Sequence, residues 1–321
     1  VFASLLLMAV GAGIFKPIIS GTIARETDKS NSSLGFGIFY WSINLGAFIF
    51  PLILVPYLKG IGWSWIFIMA AVGTGWLLLL NLFAYKEPPR PENTRSLGEV
   101  LEGIVLVLRD YRFVMMIVIY SMFWILYFQM FDTVLWYLTE KVDMSPVNDA
   151  VNGLLGLFGG QTHWQFDAEH VTVVNAGTII ALQLVVSSLV KNTRALPTMI
   201  FGIALGTAGM AMLAVSMHAW VFVAGLVLFS IGEMTAHPKF ISYVGLIAPP
   251  DKKALYLGYS FLYGVIGSGV GGILGAYLYV YFVEQRSQPA QLWLVFSMIG
   301  VLTIVGLYLY DKFLAPDKKS T

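Results

Sequence analysis

Four ionisable side chains lie within long apolar stretches of this sequence: Lys16, Asp132, Glu233 and Lys239. A charge at mid-bilayer costs roughly 2.5–3.5 kcal/mol on insertion scales, so it ordinarily faces a cavity or a partner. Lys16 ends the run Gly11-Ala12-Gly13-Ile14-Phe15-Lys16 and precedes Pro17, which removes a backbone donor and disfavours helical geometry at the residue before it. A helix broken beside a charge is the architecture of midplane substrate and ion sites. The alternative is a lysine whose stem reaches the cytoplasmic interface. Glu233 lies deep in its stretch, within Ser230-Ile231-Gly232-Glu233-Met234, and is too short to reach the interface from there. It either pairs with a neighbouring helix or binds and releases protons, because burial makes its charge costly. Lys239, beyond Pro238, reads as interfacial. Asp132 is either a proton site or a carboxylate in the outer third of its helix. Asn44 and Asn175 add amide donors and acceptors or simply bridge helices, and Tyr40, Trp124 and Tyr263 would supply aromatic walls to a cavity.

The elements that carry these residues span a membrane. The 321 residues are 58% hydrophobic and only 12% charged, with a mean hydropathy of +0.77. A soluble domain carries about 25% charged residues, so a soluble globular enzyme is excluded. A net charge of +1 gives no support for a nucleic-acid partner. The absence of cysteine excludes disulfides, thiolate metal sites and cysteine nucleophiles. No phosphate loop, His-Glu-x-x-His or nucleophile elbow occurs. His163, Asp167, Glu169 and His170 fit no metal motif and read as a solvated loop. No enzymatic activity, cofactor or metal is expected.

Nine stretches are long enough, at about 20 apolar residues, to cross as helices. They run over Val1–Ala24, Leu34–Leu58, Trp63–Tyr85, Arg112–Leu138, Val171–Val190, Ala195–Met217, Ala219–Ile247, Ala254–Val283 and Gln291–Leu314. If the chain starts outside and alternates, fifteen of the 19 Lys and Arg residues face the cytoplasm, as cytoplasmic loops prefer. Only Lys59, Lys141 and Arg286 face outward, and the C-terminus is cytoplasmic. A first crossing from outside to inside, without a preceding signal peptide, leads to the expectation of further helices upstream. Residues 1–86 form a three-helix block and 87–111 a polar cytoplasmic linker. Residues 112–321 form a six-helix block with an external loop at 139–170, in which Asn152–Phe158 could be a short surface helix. The glycine groups Gly267-Ser268-Gly269 and Gly271-Gly272 suit close helix approach.

Three of these segments resemble a known family. Phe36-x-x-Phe39-Tyr40-Trp41-x-Ile43-Asn44-Leu45-Gly46-Ala47-Phe48 is similar to the fifth-helix signature of the proton-dependent oligopeptide transporters, a branch of the major facilitator superfamily. Gly11-x-Gly13-x-x-Lys16-Pro17 resembles that family's fourth-helix motif, and Gly232-Glu233-Met234 with Pro238 and Ala248-Pro249 its tenth helix. The resemblance implies an all-α polytopic major facilitator fold, with helices four to twelve of twelve present and two bundles rocking about a central site. It implies proton-coupled uptake of di- or tripeptides across the plasma (inner) membrane, driven by the proton gradient. Its partners would be small peptides, protons and the lipid bilayer. Lys16 would hold the peptide carboxylate and take part in proton coupling. Glu233 and Asn44 would engage the amino end and backbone, and Asn175 matches the eighth-helix asparagine, with Ala176 in place of the usual proline. The family's seventh helix reads Phe-Trp and then Glu-Gln; here Phe123-Trp124 and Gln129 are kept, but Phe128 replaces the proton-coupling glutamate. Asp132, about one helical turn along, is the expected substitute. The alternative is a carrier or exporter of another small amphipathic solute, with altered or no proton coupling.

Overall fold

The computed structural model describes residues 2–26, 32–86, 97–159, 163–249 and 252–315. Among these, all regular structure is helical, and eight helices are long and apolar enough to cross a membrane. The remaining expected crossing lies in helix α1, Phe2–Glu26. The chain is an integral membrane protein, with two compact units at residues 1–94 and 95–321.

In the first unit, α1 runs unbroken through Lys16-Pro17, which corrects the expectation of a break there. Proline removes one backbone hydrogen bond, and transmembrane helices tolerate that loss. Helix α2 (Ser32–Ile49) continues into α3 (Val55–Ile61) through a π-helical turn at Phe50–Leu54. Pro51 sits in that turn and the Val55 amide donates to Phe50 O, so the wider repeat absorbs the missing proline donor. Gly62, with φ at 153°, is the single residue between α3 and α4 (Trp63–Phe83). Most apolar side chains described in this unit stand exposed within it; Leu58 and Asn44 are buried.

The second unit begins with α5 (Leu97–Arg109), so the expected polar linker contains a helix with Val107 buried. The apolar positions Val100, Leu101, Ile104 and Val107 repeat at three- and four-residue intervals, which overrides the polar character of the surrounding segment. The fourth expected crossing is split. Helix α6 (Tyr111–Gln129) ends in a tight turn at Met130–Asp132, and α7 (Thr133–Lys141) follows. The amides of Met130, Phe131 and Asp132 donate three residues back, to Tyr127, Phe128 and Gln129.

The external loop is more ordered than expected, because it contains α8 (Ser145–Gly156). Asp143 accepts from the Ser145 amide at 3.0 Å and hydroxyl at 2.6 Å, which holds its carboxyl below the usual carboxylate range. Asn152 brackets Trp164, donating to its carbonyl at 2.8 Å and accepting from its amide at 2.9 Å. Phe166 and His170 are buried beneath. The expectation of a solvated loop therefore fails at His170, whose ring packs against Trp164 at 4.8 Å.

The remaining long helices are α9 (Glu169–Val190), α10 (Ala195–Val215), α11 (Ala219–Ile247), α13 (Leu262–Tyr279) and α14 (Pro289–Phe313). The short α12 (Lys253–Ser260) precedes α13, so the crossing expected at Ala254–Val283 is also divided, and it closes in a π-helical turn at Val280–Glu284. Glycines set the packing. On α10 and α11, Gly202 faces Gly232 and Gly209 faces Gly225 so closely that an added Cβ would strike backbone. On α13, Gly267, Gly271 and Gly275 lie one turn apart against Trp124, Ile125, Gln129 and Thr133. The stripe differs from the glycine groups seen in the sequence: Gly269 has open space where a Cβ would stand.

A methyl group at Gly202 would sit 2.7 Å from Gly232 O and 2.8 Å from Ala236 N. Gly202→Ala is expected to destabilise by about 1–3 kcal/mol through overpacking. Gly269→Ala should leave stability within about 0.5 kcal/mol. Thermal unfolding of the two variants in detergent checks the pair, and equal losses would refute the assigned contact.

Candidate functional site

The site in the second unit starts from α11. Rotation by about 100° per residue places Ser230, Glu233 and His237 within an arc of roughly 60°. That arc lies off the glycine face formed by Gly225, Gly232 and Ala236. Glu233 is 7% exposed and Asn175, on α9, is 6% exposed. The Asn175 amide donates to Glu233 Oε2 at 3.0 Å and to Ser230 Oγ at 2.9 Å, while Ser230 donates onward to Leu226 O at 2.8 Å. Both amide hydrogens of Asn175 are thereby used. Among the described residues the buried carboxylate is held by a neutral amide and by no cation, an arrangement that a ligand ammonium or a proton would complete.

One turn beyond Glu233, His237 joins an aromatic wall. Its Nδ1 lies 3.1 Å from Tyr120 Oη. Trp124 packs on Tyr263 at 4.5 Å, on Tyr127 at 4.4 Å and on His237 at 5.3 Å between ring centroids. The Trp124 indole N–H is buried without a hydrogen-bond partner among the described residues. Phe128 sits 5.8 Å from the Trp124 ring, so the position that carries glutamate in the resembled family is here part of the same aromatic surface.

The structure brings together Asn175 with Glu233 and Trp124 with Tyr263. It keeps Asp132 apart, at the turn ending α6, half-buried and without a side-chain hydrogen bond or ion pair among the described residues. The expectation that Asp132 lies one helical turn beyond Phe128 is corrected, because the α-helical repeat stops at Gln129. Gln129 itself is fully buried and donates to Ile125 O and Gly271 O at 2.9 and 3.1 Å. Lys239 donates to Thr193 O at 2.7 Å and so satisfies a carbonyl just past the end of α9. Asn44 is buried in the first unit. Lys16 and Tyr40 lie in α1 and α2, and their side chains fall outside the described residues. Sequence reasoning missed His237 and Tyr120. A histidine four residues after a buried glutamate is a readable signal, but its pairing with a residue 117 positions earlier is not.

The Major Facilitator Superfamily model matches residues 1–162, half of the chain, and the chain belongs to that superfamily. It is 30% identical over 120 residues to the di-/tripeptide transporter of Lactococcus lactis, a match covering 33% of this chain and 23% of that protein. It is 24% identical over 315 residues to the multidrug resistance protein MdtH of Edwardsiella ictaluri, covering 96% of this chain and 70% of that one. The chain spans 66% to 70% of the length of the relatives it matches nearly end to end. Among solved structures, a POT family transporter in complex with 5-aminolevulinic acid has the same fold, with a TM-score of 0.76 and 20% identity over 98% of this chain and 77% of that chain.

Asn175→Ala is expected to cost about 1–3 kcal/mol, since it leaves buried acceptors unpaired. In a double-mutant cycle with Glu233→Gln, unfolding energies should couple by at least about 0.5 kcal/mol. Additive losses would mean that the Asn175–Glu233 contact is absent from the folded protein.

Proposed function

We propose that this chain is the larger part of a proton-coupled secondary transporter that takes up di- or tripeptides by alternating access. The observation that carries the reading is the buried Glu233 carboxylate, held by Asn175 and lacking a cationic partner among the described residues. A peptide is a zwitterion, and its ammonium supplies the missing positive charge. Lys16 would receive the carboxylate end, and Asn44 and Tyr40 would contact the backbone. Trp124 and Tyr263 would pack against a side chain. The local similarity to a di-/tripeptide transporter supports this reading. Proton coupling is assigned to Lys16 and Glu233, with Asp132 as a further candidate, and the energy source is the proton gradient, without a cofactor. The protein is placed in the plasma (inner) membrane with its C-terminus in the cytoplasm.

A second reading has observations of its own: Phe128 replaces the family's coupling glutamate, and the similarity to MdtH runs along nearly the whole chain. It assigns the same fold to another small amphipathic solute.

Labelled dipeptide uptake into proteoliposomes of the full-length protein, with and without an inward proton gradient, separates the two. Gradient-stimulated uptake is expected, whereas a folded protein without uptake favours the second reading. Glu233→Gln should weaken dipeptide affinity by roughly tenfold to a hundredfold, the worth of a charge-assisted hydrogen bond. An N-acetylated dipeptide, which has no ammonium, should lose little on the same substitution. Equal losses for both peptides would remove Glu233 from amino-end recognition.

A further inference from the structure

His237 is half-buried in a membrane-spanning helix, between Trp124 at 5.3 Å, Tyr263 at 5.7 Å and Phe240 at 6.5 Å. A ring that only filled this space would be phenylalanine, as it is one turn away at position 240. The imidazole instead meets Tyr120 Oη through Nδ1 at 3.1 Å. A phenol suits both states of that nitrogen: its hydroxyl donates to a bare Nδ1, and its oxygen accepts from a protonated one. The Trp124 and Tyr263 ring centroids lie within the roughly 6 Å at which aromatic rings attract a cation.

Among the described residues of the second unit, Tyr120 faces His237 from α6 and Tyr263 from α13, with Glu233 and Lys239 on its own helix. Lys239 is turned onto Thr193 O. Helix α10 has no ionisable residue. Helix α9 contributes the neutral Asn175, with Glu169, His170 and Lys191 only at its ends. Helix α12 contributes Tyr256, which is engaged by Asp110 at 2.8 Å, and Tyr259.

We propose that His237, with Tyr120 as its hydrogen-bond partner, is a second proton-carrying residue of this transporter, working one helical turn from Glu233. The proposal rests on the proton-coupled reading above and names a residue that reading does not use. In the loading step a ring nitrogen of neutral His237 takes a proton from hydronium, so that one O–H bond breaks as one N–H bond forms, leaving water and an imidazolium. In the release step that bond breaks and the same proton returns to water on the other side of the membrane. Tyr120 keeps its hydrogen bond by exchanging donor and acceptor roles.

The test uses the full-length protein in proteoliposomes and compares parent with His237→Gln, which keeps a polar side chain but cannot titrate. Two readouts are taken with labelled dipeptide: accumulation driven by an inward proton gradient, and counterflow against unlabelled dipeptide without a gradient. Gradient-driven accumulation is expected to fall by roughly tenfold, a typical coupling between two bound ligands. Its dependence on pH between about pH 5 and 8 should flatten, while counterflow persists. Tyr120→Phe should displace the midpoint of the pH profile without flattening it. Unchanged accumulation and an unchanged pH profile in His237→Gln would overturn the proposal, as would equal loss of accumulation and counterflow. Absence of counterflow in the parent itself would instead overturn the peptide reading, and the proposal with it.

Discussion

The close approach of α10 and α11 is the constraint from which the site follows. Gly202 against Gly232 and Gly209 against Gly225 bring two backbones to a distance that no side chain permits. Lipid tails are as apolar as leucine, so helices in a bilayer gain little from burying leucine against leucine. They gain from dispersion over closely fitted surfaces, and small residues make the fit. The two contacts are seven residues apart on each helix, which fixes rotation as well as distance. With one face of α11 committed to α10, Ser230, Glu233 and His237 must face the other way, toward α9 and α6. Glu233 follows a packing glycine directly, so its direction is set by the backbone of its neighbour.

That direction decides the electrostatics. In hydrocarbon the carboxylate has no water, and it is given one amide hydrogen from Asn175, shared with Ser230 through the second hydrogen of the same amide group. A lysine in that place would have closed the site with an ion pair, and opening such a pair leaves an uncompensated charge. The nearest lysine along the helix, Lys239, is instead spent on Thr193 O. An amide tether orients the carboxyl group without neutralising it.

Much of this was legible in the sequence, because hydropathy and the cost of buried charge act through local composition. The crossings and the presence of Glu233 and Asn175 at membrane depth follow from what hydrocarbon will accept. What escaped notice depends on partners far apart along the chain. Gly267, Gly271 and Gly275 act as a stripe only because α6 lies against that side of α13. The turn at Met130–Asp132 has no proline or glycine to announce it. Pro17 is an announcement that the structure does not honour, since α1 continues through it. His170 was read as solvated because its loop is polar, yet two asparagines on α8 fold that loop inward over it.

The aromatic wall also bears on how one unit can hold its ionisable chemistry. On α6 the residues Tyr120, Trp124, Tyr127 and Phe128 form a continuous ring surface, and Asp132, the next carboxylate along the chain, is set off by the turn that ends the helix. On α11, by contrast, Glu233 and His237 lie at depth four residues apart. Two groups one turn apart on one helix are carried by the same stretch of backbone, so sliding of a neighbouring helix does not by itself change their spacing. A carboxyl pair divided between α6 and α11 would change its spacing with every movement of one helix past the other. With phenylalanine at position 128, α6 carries no carboxylate along its ring surface, and the ionisable pair lies on α11, the helix that the glycine contacts lock against α10.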